Sequence, residues 1–148
     1  TARSAALVER GGRSRAMVVD TLGITELQPI ILENVQRLTK LRTDEAMRYQ
    51  SIGRFFYDHL TVNHRYGEYV RGDAHTNTIE GYFSIFKRGM KGVYQHCAKK
   101  HLHRYVAEFN FRYSNRAALG YNDTDRTDEL LRGVIGKRLT YQTTGARA

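Results

Sequence analysis

The order of hydrophobic and polar positions in residues 75–90 predicts one amphipathic helix, around which the rest of the chain is organised. At about 100° per residue, one side is polar and carries Asn77, Glu80, Ser84, Lys87 and Arg88. The opposite side is apolar and is predicted to be buried; it holds Ile79, Tyr82, Phe83, Ile85, Phe86 and Met90. Glu80 and Lys87 are two helical turns apart, so both can reach one ligand lying along the helix. A solvated helix face with a chance acid is the alternative that spacing leaves open.

Two short apolar runs, residues 5–8 and 16–19, flank Gly11 and Gly12 and predict a β-hairpin with positive φ in its turn. The runs are continuous rather than alternating, so strands covered on both faces are expected. A helix is predicted over 26–38, with Thr25 as its cap and Pro29 in its first turn, where a missing N–H does least harm. Its predicted buried stripe is Leu27, Ile31, Val35 and Leu38.

Residues 40–44 predict a very short strand ending at Asp44. A helix over 46–56, a strand over 59–64 and a Gly-punctuated loop over 65–74 are predicted to follow. In open α/β sheets, side chains at the C-terminal tips of strands lie where the chemistry takes place. Asp44 is therefore a candidate catalytic carboxylate, and capping of the next helix is its structural alternative.

Beyond the central helix, Gly89 and Gly92 predict a helix end and a turn. A helix over 97–116 is predicted next, because its apolar residues share one face: Ala98, Leu102, Tyr105, Val106, Phe109 and Tyr113. A loop over 120–124, a helix over 125–134, an edge strand over 139–143 and a frayed tail over 144–148 complete a single predicted domain, residues 1–148.

The net charge of +9 and the pI near 9.9 point to a polyanionic partner. Residues 81–116 contain eight Lys and Arg residues against one acid, which accounts for +7 of that total. No apolar segment has the length of a membrane span and no lipidation signal is visible, so nucleic acid is favoured over a membrane surface. The predicted DNA-contacting side chains are Lys87, Arg88, Lys91, Lys99, Lys100 and Arg104.

The single cysteine, Cys97, allows no internal disulfide and fits a reducing compartment, and no secretory signal is visible. Cys97 lies close to His96, His101 and His103, and it is one helical turn from His101, as zinc ligands can be. A helix cannot direct all four groups at one ion, and a second Cys pair is absent. Histidines lining a basic face near phosphates are the favoured interpretation.

Several short motifs, in one order along the chain, resemble the DDE transposases of bacterial insertion sequences, in the ISXO-like group. The strongest is HTNTIEGYFS at 75–84, continued by KRG at 87–89 and by Gly92. Before it come LVERGG at 7–12, LQPII at 27–31, TDE at 43–45 and VNH at 62–64; after it come HL at 101–102, RY at 104–105, EF at 108–109 and FR at 111–112. Their joint occurrence carries the resemblance, which covers nearly the whole chain.

The resemblance implies an α/β, RNase H-like fold, a mixed sheet flanked by helices, in which three carboxylates hold two Mg²⁺ or Mn²⁺ ions. By motif, Asp44 matches the second carboxylate and Glu80 the third, so both are expected to be catalytic metal ligands. Lys87 matches a basic residue expected to hold a DNA phosphate near the scissile bond, and Asn77 is expected to support the site or contact substrate.

The function implied is metal-dependent DNA cleavage and strand transfer at insertion-sequence ends, in the bacterial cytoplasm at the nucleoid. Double-stranded transposon-end and target DNA are the expected partners, and self-association in the transposition complex is left open. The family's first carboxylate lies on a strand ahead of the hairpin, so that Asp is expected upstream of Thr1, and the chain alone is expected to be inactive. Asp20 does not match it. Two alternatives remain: an RNase H-like nuclease or resolvase without strand transfer, and a non-catalytic nucleic-acid-binding module.

Overall fold

The computed structural model describes residues 3–44, 49–62, 77–95 and 97–137, with backbone only at Asp44 and Val62. The strands are β1 (Arg3–Val8), β2 (Ser14–Val19), β3 (Lys40–Asp44) and β4 (Asp58–Val62). The α-helices are α1 (Ile24–Asn34), α2 (Gln50–Gly53), α3 (Asn77–Gly89), α4 (Leu102–Ser114) and α5 (Asp123–Val134). Short π and 3₁₀ segments lie at Met90–Tyr94, Lys99–His101 and Ala117–Leu119. Within this part of the chain, no helix combines the length and hydropathy needed to cross a bilayer.

The predicted hairpin is confirmed: β1 and β2 pair antiparallel, and Gly11 has φ +67 in the turn. Ala5 and Leu7 pack against the hydrophobic core that contains α1. Ser14 lies on the other face, because side chains alternate along a strand and Ser14 is paired with Val8. Its hydroxyl donates to Asn110 Oδ1 at 2.7 Å, which fixes α4 on that face. The expectation of a hairpin covered on both faces is therefore met.

Helix α1 is shorter than predicted. It begins at Ile24 after Gly23, so Thr25 is not its cap, and it ends at Asn34 because Val35 is extended. Leu27 and Ile31 are buried as predicted, whereas Leu38 is 83% exposed in the turn that leads to β3. The prediction for Leu38 was wrong because helical periodicity continues in the sequence beyond the point where the chain turns.

Strands β3 and β4 are parallel, with Thr43 opposite Thr61 and Asp44 opposite Val62. The predicted helix over 46–56 is described only from Tyr49 onward, and it is a single turn that ends at Gly53, since β4 starts at Asp58. The core of this region is a cluster of buried side chains from α1, β3 and α2 together with a following residue: Leu27, Ile31, Leu41, Ile52 and Phe56.

Among the described residues, the four strands form two separate two-stranded sheets, β1–β2 and β3–β4. Both contribute to one core, because Ala5 and Leu7 of β1 pack against the cluster that contains Leu41 of β3. The observed architecture is mixed α/β with small sheets and flanking helices, which agrees with the predicted α/β class. The RNase H-like arrangement of a single sheet stays a prediction. The loop predicted over 65–74 and the edge strand over 139–143 lie outside the described residues.

The chain divides into two compact units, Thr1–Ser114 and Asn115–Ala148. In the second unit, α5 begins two residues earlier than predicted because Asn122 and Asp125 form a capping box: each side chain accepts a hydrogen bond from the other residue's backbone N–H. Arg126 donates to the carbonyl of Asn115 at 2.9 Å and so ties this helix to the start of its own unit.

Candidate functional site

The predicted central helix is present as α3, and its polar side faces solvent. Exposed side chains include all five residues of the predicted polar arc: Asn77, Glu80, Ser84, Lys87 and Arg88. On the opposite side Tyr82 is buried, and Ile79, Phe83, Phe86 and Met90 are half-buried. Ile85 was predicted to be buried and is instead 51% exposed, because it lies at the boundary between the two faces. Glu80 and Lys87 therefore do lie along one exposed helix face.

Helix α3 ends at Gly89, as predicted, but the turn predicted after it is absent: the chain continues as a π-helical segment over Met90–Tyr94. The wider turn places Tyr94 against α4, where its hydroxyl donates to Glu108 at 2.6 Å. This hydrogen bond, made to a carboxylate, raises the pKa of Tyr94. Arg112 pairs with the other Glu108 oxygen at 2.8 Å. A polar network thus fixes the end of the α3 segment, close to Lys91, on α4.

Aromatic edge-to-face contacts hold α3 on α4 along the rest of their length. The Phe86 and Phe109 ring centroids are 5.1 Å apart, as are those of Tyr82 and Tyr113. Gly89 permits this close approach, because a Cβ at that position would lie 2.1 Å from Phe109 Cζ. The basic side of α3 is thereby held on a rigid support rather than on a loop.

Helix α4 begins at Leu102 rather than at residue 97, and a 3₁₀ turn over Lys99–His101 precedes it. Ala98 is exposed, contrary to prediction, because it precedes this turn. The predicted DNA-contacting residues of this segment, Lys99, Lys100 and Arg104, are all exposed, as is Lys91. The ammonium group of Lys99 lies 3.7 Å from the carboxylate of Asp20, an exposed pair that contributes little to stability.

Asp44 is the last residue of β3, as predicted. The two residues before it, Arg42 and Thr43, contact side chains of β4. Arg42 forms a partly buried ion pair with Asp58 at 2.9 Å. Thr43 Oγ1 lies 2.9 Å from His59 Nε2. Gly53 allows the imidazole to sit against α2, since a Cβ there would be 2.0 Å from His59 Nδ1. The backbone that carries Asp44 is therefore held by contacts on both preceding residues.

The half-buried imidazole of His59 has a lowered pKa, first because burial disfavours the charged form and then because Arg42 is nearby, with Asp58 opposing. The unfolded chain binds the proton more readily than the folded one, so stability falls as the pH drops below about 6.5, the ordinary histidine pKa. We expect the urea midpoint to fall between pH 7.5 and 5.5, and to fall less in His59→Gln. An identical loss in both proteins would show that His59 does not cause it.

On the buried side of α3, Tyr82 has a hydroxyl without a hydrogen-bond partner in the described part of the chain. Tyr82 is 3% exposed, and among the described residues its hydroxyl makes no hydrogen bond. Burial, with a smaller contribution from Tyr113, raises its pKa. Because an unpaired buried hydroxyl carries a desolvation cost, we expect Tyr82→Phe to leave the free energy of unfolding unchanged or raise it by up to about 1 kcal/mol. If a urea titration instead shows that Tyr82→Phe lowers the free energy of unfolding by more than about 1 kcal/mol, the hydroxyl has a hydrogen-bond partner.

The donor chemistry of the predicted metal ligands suits a hard divalent ion, because carboxylate oxygens are what Mg²⁺ and Mn²⁺ prefer. Glu80 presents such a group on the exposed side of α3. Within the ranges that the structure describes, no three His, Cys, Asp or Glu side chains form a metal-binding group. This statement includes Cys97, His101 and His103 of the rejected zinc set; His96 lies outside those ranges.

Residues 4–114 match the family model of the ISXO2-like transposase domain. The match spans the first compact unit and includes β1–β4, α3 and α4. The chain belongs to this family of insertion-sequence transposases, as the resemblance of its motifs predicted. No curated protein and no solved structure shows significant similarity to the chain.

Two features near the candidate residues were not predicted. The hydrogen bond between Thr43 and His59 joins residues 16 positions apart on parallel strands, and strand pairing cannot be read from one sequence. The network of Tyr94 and Glu108 depends on the π-helical segment. A signal for the second was present, because Tyr94 falls near the polar arc at α-helical spacing, which is an unusual place for an aromatic residue.

Proposed function

We propose that this chain forms the catalytic domain of a DDE transposase with an RNase H-like core, which cleaves DNA at insertion-sequence ends and transfers the strand. The observation that carries the proposal is the exposed α3 face, where Glu80 lies two turns before Lys87 in a chain of the transposase family. The cytoplasm of the bacterium, where the DNA is, would be its location.

Asp44 and Glu80 are the proposed ligands of a pair of Mg²⁺ or Mn²⁺ ions. Such ions, when bound, activate the attacking oxygen and stabilise the leaving oxygen of an in-line displacement. Lys87 neutralises a phosphate next to the scissile bond. It lies about 10 Å from Glu80 along α3, because seven residues separate them, so both side chains can contact one segment of the DNA backbone. Asn77, in the first turn of α3, contacts the substrate or orients Glu80.

The first carboxylate is proposed to come from a further strand that pairs between β1 and β3. The support is structural: two small sheets share one core with α1, yet among the described residues they are not joined by hydrogen bonds. A strand between them would produce one mixed sheet. Asp20 is a poor substitute, because it is exposed after β2 and lies beside Lys99.

The experiment that tests this function compares the chain with a version extended upstream of Thr1. Mg²⁺- or Mn²⁺-dependent cleavage and joining of transposon-end DNA is expected in the extended version and not in the chain as given, because two carboxylates are too few to hold a pair of ions in the fixed positions that an in-line displacement needs. Equal activity in both would contradict the proposal. It would make two other acids the next residues to test: Asp20, and Asp73 in the loop predicted over 65–74. Hydrolysis without joining would favour the nuclease alternative.

DNA affinity is proposed to be mostly sequence-independent. It is carried by exposed basic residues of α3, of the π-helical segment after it, of the 3₁₀ turn before α4, and of α4 itself. They are Lys87, Arg88, Lys91, Lys99, Lys100 and Arg104. Each phosphate neutralised on duplex DNA contributes a slope of about −0.9 to the dependence of log affinity on log salt. The double variant Lys99→Glu, Lys100→Glu is therefore expected to weaken binding and to make this slope shallower by about two units.

The control for that measurement is Lys137→Glu, an exposed charge reversal outside the family-matched residues. It is expected to change the salt slope of duplex binding by much less than the double variant. A salt-insensitive affinity, or a double variant that binds as tightly as the unchanged chain, would show that this surface does not hold DNA. The non-catalytic alternative predicts the same binding but no cleavage, so the two experiments together separate it.

A further inference from the structure

Helix α5 presents an exposed apolar strip on an acidic helix. Leu130, Leu131, Val134 and the following Ile135 are between 55% and 78% exposed. At helical spacing, Leu130, Leu131 and Val134 occupy one arc of about 100°, and Asp123 and Asp128 fall on or beside that arc toward the N-terminus. The helix contains four acids against two arginines. An apolar strip of this kind on an acidic helix is suited to a basic, partly apolar partner surface.

A surface with those complementary properties occurs on the α3 segment. Ile85 and Val93 are 51% and 73% exposed. At α-helical spacing Val93 would lie about 80° from Ile85, toward the buried side. The π-helical segment turns less per residue and brings it back toward Ile85, in agreement with its exposure. A Cβ built on Gly81 or Gly92 would meet no atom within 4 Å, so the helix surface beside these residues is open.

Basic side chains border this second apolar surface. Arg88 falls between Ile85 and Ser84 around the helix, and Lys87 and Lys91 lie on the adjoining exposed side. From Asn77 to Tyr94 the charged residues are Glu80 against Lys87, Arg88 and Lys91, a net charge of +2, whereas α5 has −2. The two surfaces are thus opposite in charge and alike in having exposed aliphatic side chains at their centre.

We propose that α5 of one copy of this chain docks on the Ile85–Val93 surface of a second copy. The occupant is inferred from charge and apolar complementarity, since one chain carries both halves of the interface. A contact formed by a few aliphatic side chains is expected to bury less than the roughly 800 Å² per partner typical of stable interfaces, so weak and reversible association is expected. Insofar as Lys87, Arg88 and Lys91 also hold DNA, which rests on the proposed function, DNA and α5 compete for α3.

Sedimentation velocity of the whole chain over increasing concentration tests the proposal. Self-association is expected for the unchanged chain. Leu131→Ser or Val93→Ser is expected to weaken it about tenfold, because each replaces an aliphatic side chain of the proposed contact by a small polar one. An equimolar mixture of the two variants retains one intact α5 and one intact α3 surface, so it should associate more than either variant alone. Leu38→Ser, at another exposed leucine, is the control and should change nothing.

Three results would overturn the proposal. The first is a chain that stays monomeric at every accessible concentration. The second is unchanged association of Val93→Ser, which would place the contact away from the Ile85–Val93 surface. The third is a mixture of the variants that associates no more than its components. Circular dichroism melting of each variant checks folding, and Ile85→Ser replaces Val93→Ser if the latter unfolds. None of these outcomes depends on DNA cleavage, so failure here leaves the proposed function intact.

Discussion

Replacement of Glu80 by glutamine is expected to reduce metal-dependent cleavage of transposon-end DNA by roughly a thousandfold, since a metal ligand contributes several kcal/mol of transition-state stabilisation. Glutamine has the same shape but carries no charge, and it binds Mg²⁺ poorly. Glu80 lies on the exposed side of α3, so the fold should not change. The measurement is single-turnover cleavage by the version extended upstream of Thr1, with Mg²⁺ and with Mn²⁺.

Ser84→Ala is the matched control, because Ser84 is one helical turn from Glu80 in the same exposed arc. It is expected to cleave within a few-fold of the unchanged protein. The Glu80→Gln variant should still bind duplex DNA, as the basic residues are intact. Cleavage by Glu80→Gln at a rate near that of Ser84→Ala would remove Glu80 from the catalytic site.

Replacement of Gly89 by alanine is expected to lower the free energy of unfolding by about 1–2 kcal/mol. The added Cβ would lie 2.1 Å from Phe109 Cζ, and the Phe109 ring is itself held against Phe86 and Tyr94. Overpacking costs about 1–3 kcal/mol, whereas the Gly-to-Ala gain in helix propensity is at most about 1 kcal/mol. Gly89 has helical dihedral angles, so the backbone itself accepts alanine.

Gly81→Ala is the paired experiment on the same helix and should have the opposite sign. No atom lies within 4 Å of a Cβ built there, so the propensity gain of up to about 1 kcal/mol is unopposed. Urea titrations of both variants give the two free energies directly. Equal effects at Gly81 and Gly89 would mean that the close contact between α3 and α4 does not stabilise the protein.

The sequence predicted the elements well where a local pattern determines them. The hairpin was predicted from two apolar runs around Gly11, which supplies positive φ. The two faces of α3 were predicted from helical periodicity, with Ile85 as the exception at the boundary. These predictions succeed because burial of apolar side chains and steric limits on φ act on residues close together in the chain.

The remainder depended on contacts between distant residues. Helix α1 ends at Asn34 because the chain must turn into β3, which no pattern in residues 35–38 reveals. The helix predicted from residue 97 begins at Leu102, after a 3₁₀ turn. In the candidate site, the exposure of Glu80 and Lys87 was predicted from periodicity. The hydrogen bond between Thr43 and His59 could not be predicted, because it depends on the parallel pairing of β3 and β4.

Iron-mediated cleavage of the protein backbone tests most directly whether Asp44 and Glu80 share a metal site. Fe²⁺ replaces Mg²⁺ in the version extended upstream of Thr1, and ascorbate with peroxide generates radicals that cut the chain next to the bound ion. The account predicts cuts near residue 44 and near residue 80 together, both suppressed by excess Mg²⁺ and both lost in Glu80→Gln. Cuts at only one of these segments, or a pattern unchanged by Glu80→Gln, would contradict it.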